Sequence, residues 1–272
     1  MRYTWRTGIL ELLMILVAVI VATPVYILLN LSVRPPNDPT PPWVPTSQPT
    51  VDNYVRAWEE AELSRSMMTS IAVTLISVVL IVILASLASY PLARLTGRLS
   101  RGTFWFLMVG LMLPFQIAML PLYQTIRDLG LLGSIWSLVI FYVGLNMPFT
   151  VFLYTGFLRG LPREFEEAAW MDGAHPVRAF TAVVFPMLRP VTGTVIIVNS
   201  IIIWNDFLTP LLYLSGTDTG TIPVVLYRFV SPYLSDWPLV FAGLVIGSIP
   251  VLLVYFTLQK WVIRGFAGGL KG

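Results

Sequence analysis

The chain contains no cysteine, a single histidine and few charged residues. Without cysteine it can form neither a disulfide nor a thiolate metal site, and His175 alone cannot provide a metal-binding cluster. Only 11% of its 272 residues are charged and 56% are hydrophobic, whereas soluble domains carry about 25% charged residues. We therefore expect neither a metal site nor a cofactor in this chain, and water is not its main solvent.

The excess of positive charge is small, with a formal net charge of +3. The Arg and Lys residues lie mainly in short segments beside apolar stretches, where they are typical of the cytoplasmic loops of membrane proteins. Membrane topology thus accounts for the basic residues, and we expect no nucleic-acid partner.

Six apolar stretches are long enough to cross a bilayer core, which is about 30 Å thick and requires roughly 20 helical residues. The composition therefore predicts an all-α membrane protein with six transmembrane helices surrounded by lipid. The predicted spans are residues 8–31, 68–93, 104–123, 134–158, 190–213 and 237–262.

The segment between the first two spans lies outside the membrane. Residues 32–50 are rich in proline, which favours an extended, polyproline-like connector over a helix. Residues 52–66 mix apolar and charged side chains, as is typical of a short amphipathic helix at a membrane surface. The apolar ones are Tyr54, Val55, Trp58 and Leu63, and the charged ones include Glu59, Glu60, Glu62 and Arg65. The sequence thus divides into a tail with the first helix (1–31), an external connector with its helix (32–67), a five-helix core (68–263) and a tail (264–272).

The distribution of basic residues predicts the orientation. Most of the 17 Arg and Lys residues lie before the first span, between spans two and three, in the loop 159–189, or after the last span. By the positive-inside rule these segments and both termini are expected to be cytoplasmic. The opposite side carries fewer basic residues over longer segments: Arg34, Arg56, Arg65, Arg127 and Arg228.

The cytoplasmic loop 159–189 carries the most informative pattern. Pro162 suits the first turn of a helix, and the glutamates that follow it complement the helix dipole. Gly173 allows a tight turn with positive φ, and Pro176 can begin a second helix that Pro186 ends. The pattern predicts two short helices joined by a turn.

The same loop contains Glu167-Ala168-Ala169, three residues, Gly173, nine residues, and then Val183-x-Phe185-Pro186. This pattern resembles the signature of the permeases of binding-protein-dependent ABC importers, with Val183 and Phe185 where isoleucine and leucine are usual. Other segments extend the resemblance to the smaller permease subunit of sugar importers of the maltose type, over essentially the whole chain. They are Met112–Leu122, Met171–Ala174, Trp204–Phe207 and the tail that ends Gly-Gly-Leu-Lys-Gly.

The resemblance implies a type I ABC importer permease fold and contacts with a separate ATPase. The C-terminal residues Gly269, Leu270 and Lys271 would make one contact. The second contact would be made by a coupling element that docks in the ATPase. This element would comprise Glu166, Glu167, Ala168, Ala169, Met171, Asp172, Gly173, Ala174 and His175. Because the sequence has no phosphate-binding Gly-x-x-x-x-Gly-Lys-Ser/Thr loop, we expect ATP and Mg²⁺ to be bound by partner subunits.

The resemblance also implies the partners and the cargo. The expected partners are a second homologous permease subunit, two ATP-binding ABC subunits and an extracytoplasmic solute-binding protein, in the plasma membrane of a bacterium or archaeon. The cargo implied is a mono-, di- or oligosaccharide or a related polyol phosphate, with a non-sugar solute as the alternative. The chain itself would transport and not catalyse.

Two other function classes would require different features in the sequence. An intramembrane enzyme would need a nucleophile with a base, or a metal-ligand cluster, within the spans. The sequence shows neither pattern, so we expect no catalytic residue. A membrane protein that uses the cytoplasmic loop only to bind a partner stays open.

Polar side chains within the predicted spans are the candidates for a solute path. Thr192, Asn199 and Asp206 recur every seven residues, which places them on one face of a helix. Such residues either line an aqueous path or hold helices together by hydrogen bonds. Maltose-type relatives contact sugar on the stretches that correspond to the predicted spans 134–158 and 190–213. The resemblance therefore implies a solute path, with bonding between helices as the alternative role. The residues expected to line the path are Tyr142, Asn146, Phe149, Asn199 and Asp206.

Overall fold

The structure is a computed structural model that describes residues 5–230 and 236–269. Every regular element within those ranges is a helix, which confirms the predicted all-α class for this part of the chain. In chain order the elements are α1 (Trp5–Ser32), α2 (Asp52–Glu60), α3 (Leu63–Arg94), α4 (Arg98–Met112), α5 (Phe115–Asp128), α6 (Ile135–Arg159), α7 (Glu164–Met171), α8 (Pro176–Ala179), a π-helical turn (Phe180–Val184), α9 (Phe185–Met187), α10 (Arg189–Asn205), α11 (Leu208–Tyr213), α12 (Ile222–Tyr227) and α13 (Trp237–Gly269).

Four helices are long and apolar enough to cross a membrane, namely α1, α3, α6 and α13. Two further helix pairs reach that length only when they are joined across a bend: α4 with α5, at 102°, and the segment Pro176–Met187 with α10, at 73°. The described residues therefore contain four to six candidate spans, and the number six stays a prediction.

The predicted single helix over residues 104–123 is wrong. It divides into α4 and α5, because Leu113 and Pro114 both have extended backbones, with ψ of 122° and 119°. A proline disfavours the helical conformation of the residue before it and cannot donate a backbone hydrogen bond. Pro114 therefore ends one helix and precedes the next.

The predicted helix over residues 190–213 also divides, at Asp206. This residue has an extended backbone, with ψ of 128°. Its Oδ1 accepts hydrogen bonds from the N–H groups of Leu208 at 3.1 Å and Thr209 at 3.4 Å. Because a helix begins with unpaired N–H groups, a carboxylate in this position stabilises the start of α11.

The chain forms two compact units, one from the described parts of residues 1–67 and 222–249 and one from those of 68–221 and 250–272. In the second unit α6 carries several of the most deeply buried side chains. Its residues Leu138, Tyr142, Val151, Tyr154 and Leu158 are all inaccessible or nearly so. They divide between two apolar clusters that also include residues of α3 and α10.

In the first unit, the expected extended connector is instead a compact loop of turns. Pro36 and Pro42 occupy the second position of two turns, closed by hydrogen bonds from Asp38 N to Pro35 O and from Val44 N to Pro41 O. Proline fits that position because its fixed φ matches the turn. Proline content therefore indicated turns here, and the polyproline prediction was wrong.

A buried arginine holds this connector together. Arg34 is 3% exposed, and its guanidinium donates to the carbonyl oxygens of Thr40, Pro41 (3.0 Å) and Val44 (2.6 Å). Asn53 of α2 donates to the carbonyl oxygens of Ser32 and Arg34 at 3.0 and 2.8 Å. Asn30 of α1 donates to the carbonyl oxygens of Pro42 and Val44 at 2.7 and 2.9 Å, so the connector is bonded to both helices that flank it.

The helix predicted at residues 52–66 is shorter than expected. It ends at Glu60, and α3 begins at Leu63, so the last residues of the predicted segment 52–66 belong to the next helix. Arg56 of α2 forms ion pairs with Glu60 at 2.9 Å and with Asp236 at 2.6 Å. The hydrogen bonds to these two carboxylates raise the pKa of Arg56.

Two glycines one turn apart give α13 a flat surface against α12. A Cβ added to Gly243 would overlap the methyl groups of Leu226, and one added to Gly247 would lie 2.9 Å from Cγ2 of Ile222. Glycines at this spacing allow close helix contacts in membrane proteins. The side chains of α12 therefore occupy the space that a larger residue would fill.

The connector also contains a carboxylate with a shifted pKa. Asp38 accepts hydrogen bonds from the side chain of Thr40 at 2.6 Å, the backbone of Thr40 at 2.9 Å and the side chain of Thr46 at 2.8 Å. These bonds lower the pKa of Asp38 from 3.8 to about 2. Because the folded-state pKa lies below the ordinary value, the carboxylate stabilises the connector above that ordinary value, and this contribution is lost as the pH falls through about 2.

We predict that the connector of the native chain resists pepsin at about pH 3, where Asp38 is still ionised, and that the Asp38→Asn connector is cleaved, since an amide is a poorer acceptor for Thr40 and Thr46. Mass spectrometry of the detergent-purified protein measures the cleavage. Asp128→Asn is the control, because Asp128 is 66% exposed and pairs with the adjacent Arg127. Equal cleavage of the native and Asp38→Asn connectors would contradict the role of Asp38.

Candidate functional site

The loop 159–189 has the predicted geometry of two short helices joined by a turn. The turn between α7 and α8 has Gly173 at φ +80°, a conformation that favours glycine. Hydrogen bonds from Gly173 N to Trp170 O and from Ala174 N to Ala169 O, both 2.9 Å, close it. Pro176 occupies the first turn of α8, as expected from its lack of an N–H group.

Two prolines of this loop lie differently from the prediction. Pro162 precedes α7, which begins at Glu164 after Arg163. Pro186 does not end the second helix, because the helical path continues from α8 through the π-helical turn into α9. The N–H of Phe185 bonds to the carbonyl of Phe180, and this wider turn accommodates a proline ring that would clash within a regular α-helix.

Two of the nine predicted coupling residues point into the protein. Glu166 is 3% exposed, and Ala169 is also buried. Glu166 accepts hydrogen bonds from Arg94 Nε at 2.8 Å and from the Tyr90 hydroxyl at 3.0 Å. Ala174 is half-buried, and the remaining six are exposed: Glu167, Ala168, Met171, Asp172, Gly173 and His175.

The exposed side of the loop combines apolar and acidic side chains. Met171 is 89% exposed, and three further large apolar side chains are about half exposed or more: Phe165, Trp170 and Val177. Several exposed large apolar side chains on one short loop are typical of a protein interaction site. Glu167 and Asp172 place carboxylates on the same loop. We call Phe165, Glu167, Trp170, Met171, Asp172 and Val177 the docking face.

A second candidate site lies between α6 and α10. Three side-chain hydrogen bonds connect these helices and the residue that follows α10, in antiparallel order. Tyr154 bonds to Thr192 at 3.0 Å, Asn199 to Thr150 at 3.3 Å, and Tyr142 to Asp206 at 2.9 Å. We call these six residues the polar seam.

The predicted path residues differ in how deeply they are buried. Tyr142, Asn146 and Asn199 are buried, and the side chain of Asn146 donates to the carbonyl of Tyr142 in its own helix at 2.9 Å. Phe149 and Asp206 are half-buried. Asp206 lies beyond the end of α10, so the seven-residue spacing from Asn199 does not place it on the same helix face.

The sequence analysis did not include Thr150 and Tyr154 among the candidates. Both belong to the polar seam, and both continue a four-residue spacing on α6 that starts at Tyr142 and Asn146. Residues four apart lie on one helix face. This spacing could have identified them.

The remaining predicted sites have little or no description in the structure. Gly269 is the last residue of α13, and Leu270 and Lys271 lie outside the described residues. Within residues 5–230 and 236–269, no group of three or more His, Asp or Glu side chains is arranged to hold a metal ion.

The fold matches that of a solved transport protein. A chain in the crystal structure of a bacterial ABC transporter, which is described as involved in the import of the acidic polysaccharide alginate, superimposes with a TM-score of 0.84. The match covers 96% of this chain and 99% of that chain at 22% sequence identity. The described part of the chain thus has the type I ABC importer permease fold.

Sequence comparison identifies the family. Residues 81–268 match the family described as binding-protein-dependent transport system inner membrane component. The melibiose/raffinose/stachyose import permease protein MelC of Bacillus subtilis (strain 168) is 32% identical, covering 98% of this chain and 99% of its own. The diacetylchitobiose uptake system permease protein NgcG of Streptomyces coelicolor is 32% identical, covering 80% of this chain and 73% of its own. The chain belongs to this family of inner membrane components.

We predict that Asp206→Ala destabilises the protein more than Tyr154→Phe. The tyrosine substitution removes one interhelical hydrogen bond, which contributes about 0.6 kcal/mol in membrane proteins. The aspartate substitution removes the partner of Tyr142 and the acceptor for the first N–H groups of α11, so we expect about 2 kcal/mol. The free energy of unfolding in bicelles measures both.

The neighbouring Asn205→Ala is the control for this comparison. The Asn205 side chain is exposed and donates to Ile201 O in its own helix. If Asp206→Ala lowered the free energy of unfolding no more than Asn205→Ala, Asp206 would not hold the break between α10 and α11.

Proposed function

We propose that this chain is a permease subunit of an ATP-driven importer for a carbohydrate. The observation that carries the proposal is the docking face on a two-helix loop, in a chain that belongs to a family of binding-protein-dependent transport components. The named relatives import melibiose, raffinose, stachyose and diacetylchitobiose, and the structural relative takes part in alginate import. These cargoes are all carbohydrates, which favours a di- or oligosaccharide over a non-sugar solute.

The proposed topology has six crossings, with both ends of the chain on the cytoplasmic side of a bacterial or archaeal plasma membrane. In this topology α4 and α5 together make one crossing, and the crossing predicted at residues 190–213 begins with α10, after the cytoplasmic loop 159–189. The concentration of Arg and Lys in the loop 159–189 and beside the other proposed cytoplasmic ends supports it.

Single cysteines can test the topology, because the chain has none of its own. Ser47 is exposed in the external connector, and a side chain at Gly97 would have no neighbour within 4 Å. We expect a membrane-impermeant maleimide to label Ser47→Cys in intact cells and Gly97→Cys only after the membrane is opened. Labelling of both residues in intact cells would contradict the proposed number of crossings.

The docking face is proposed to contact an ATP-binding partner subunit. Burial of Met171, Trp170 and Phe165 against a cleft of that subunit would remove apolar surface from water, and Glu167 and Asp172 would meet basic groups of the partner. Gly269, Leu270 and Lys271 remain a second proposed contact. Two ATP-binding subunits, a second homologous permease and an extracytoplasmic solute-binding protein complete the proposed assembly.

The solute path is proposed to run beside the polar seam. Phe149 and Asp206 are half-buried and are the residues we expect to contact a sugar, by stacking and by hydrogen bonding. Tyr142, Asn146 and Asn199 are buried and would position the wall of the path. This division reconciles the two readings of polar residues within spans, since one side chain can contact solute while its neighbours join helices.

Transport in this proposal requires two states of the permease pair. ATP and the loaded binding protein must each have different affinities for the inward-open and outward-open states, because equal affinity would leave the populations unchanged. The coupling loop passes this preference from the ATPase to the membrane helices.

The test is uptake by proteoliposomes that contain the assembled complex, with ATP inside and the loaded binding protein outside. We expect accumulation of labelled raffinose or a related oligosaccharide. Glu167→Lys reverses a charge on the docking face, and Gly173→Pro cannot adopt φ +80°. We expect each to insert normally and to lower binding-protein stimulation of ATP hydrolysis by about tenfold or more.

Gly97→Pro is the matched control, because Gly97 already has φ −64°, a value that proline adopts. If both loop variants kept full stimulation, the loop would not couple the subunits. If stimulation were lost but the native complex accumulated amino acids and not sugars, the importer would stand and the carbohydrate assignment would be wrong.

A further inference from the structure

The end of α3 contacts the coupling loop through a buried ion pair. Arg94 Nη2 lies 2.6 Å from Glu166 Oε1, with side chains that are 11% and 4% exposed. The Tyr90 hydroxyl donates to the other carboxylate oxygen, Oε2. Charges this well buried are costly unless they are paired and hydrogen-bonded, so Arg94, Glu166 and Tyr90 fix one another's positions.

Further contacts extend this attachment to both halves of the loop. Arg94 also donates to the carbonyl of Leu161 at 3.3 Å, and Arg163 donates to the carbonyl of Arg94 at 3.2 Å. The ring of Tyr90 packs against Phe180 in the π-helical turn, with centroids 5.2 Å apart. The last turn of α3 therefore contacts α7, the segment before it and the end of the second helix.

The attachment to α3 differs from the loop's other connections to long helices. The loop continues α6 at its start and leads into α10 at its end, so the chain itself connects it to those two helices. In contrast, α3 lies more than sixty residues earlier in the sequence, and side-chain contacts alone join it to the loop. Removal of the ion pair would weaken this attachment without breaking the loop's covalent connections.

We propose that the Arg94–Glu166 ion pair makes α3 move with the coupling loop when the ATPase displaces it. The inference rests on the proposed coupling function. Arg94 and Glu166 are positioning residues in this view, because they act through α3 and the loop and contact neither nucleotide nor solute. Glu166 thus differs in role from its neighbour Glu167 on the docking face.

The test measures the distance between the loop and α3 in the assembled four-subunit complex. Spin labels at Ala182→Cys on the loop, outside the docking face, and Leu84→Cys on α3 use two exposed positions of a cysteine-free chain. With the Arg94–Glu166 ion pair intact, we expect one narrow distribution of the distance between the two labels. This distribution should be the same without nucleotide and after trapping with ADP-vanadate. With Glu166→Gln we expect a broader or shifted distribution after trapping. The ratio of stimulated to basal ATP hydrolysis should also fall by about fivefold or more.

Glu164→Gln is the matched control, since Glu164 lies in the same first turn of α7 and is exposed. We expect this variant to keep both the narrow distribution and the stimulation ratio. A native distribution and ratio in Glu166→Gln and Arg94→Gln would overturn the proposal.

The double variant Arg94→Gln with Glu166→Gln separates positioning from folding, because it leaves no unpaired buried charge. If the double variant assembles normally but stays uncoupled, the ion pair positions α3. If it regains stimulation, the pair serves folding alone and the proposal fails. Loss of stimulation by Gly173→Pro together with native coupling in Glu166→Gln would refute this inference and leave the proposed function intact.

Discussion

Within the apolar part of a membrane, a backbone N–H or C=O group without a protein partner costs several kcal/mol. Most groups of the described chain meet this constraint by helix formation, and the instructive places are those where a helix stops. At Asp206 the carboxylate accepts hydrogen bonds from the start of α11 and from Tyr142. One side chain thereby satisfies the interrupted backbone and joins that interruption to α6.

Charged side chains perform the corresponding task outside the apolar helices. Arg34 binds the carbonyl groups of a connector that has too many prolines to form a ladder of its own hydrogen bonds. Arg94 binds Glu166 and the carbonyl of Leu161 at the end of α3. Both guanidinium groups are nearly inaccessible, and each uses several donors in a fixed plane, a geometry that lysine could not reproduce.

Apolar length and turn chemistry made part of this structure predictable. The span expected at residues 134–158 is α6, and the turn expected from Gly173 and Pro176 lies where those residues predict it. The breaks between α4 and α5 and between α10 and α11 were missed, because hydropathy measures apolar length and does not show that a helix ends at Pro114 or Asp206. The connector was mispredicted because composition reports only the backbone conformation that each proline prefers. It does not show that the folded chain buries Arg34 against the carbonyl groups of Thr40, Pro41 and Val44. For the site, the motif located the loop, but only coordinates distinguish the inward Glu166 from the outward Glu167.

The contact between α12 and α13 explains how a helix of only six residues can form. A helix of six residues, such as α12 (Ile222–Tyr227), forms too few hydrogen bonds to offset the entropy of its own nucleation. Its existence must therefore come from tertiary packing, and Ile222 and Leu226 find part of that packing on the surface left open by Gly243 and Gly247. The secondary structure of residues 222–227 is thus encoded about twenty residues further along the chain, by two positions that have no side chain. A single added methyl group in α13 would act on a helix that contains no mutation.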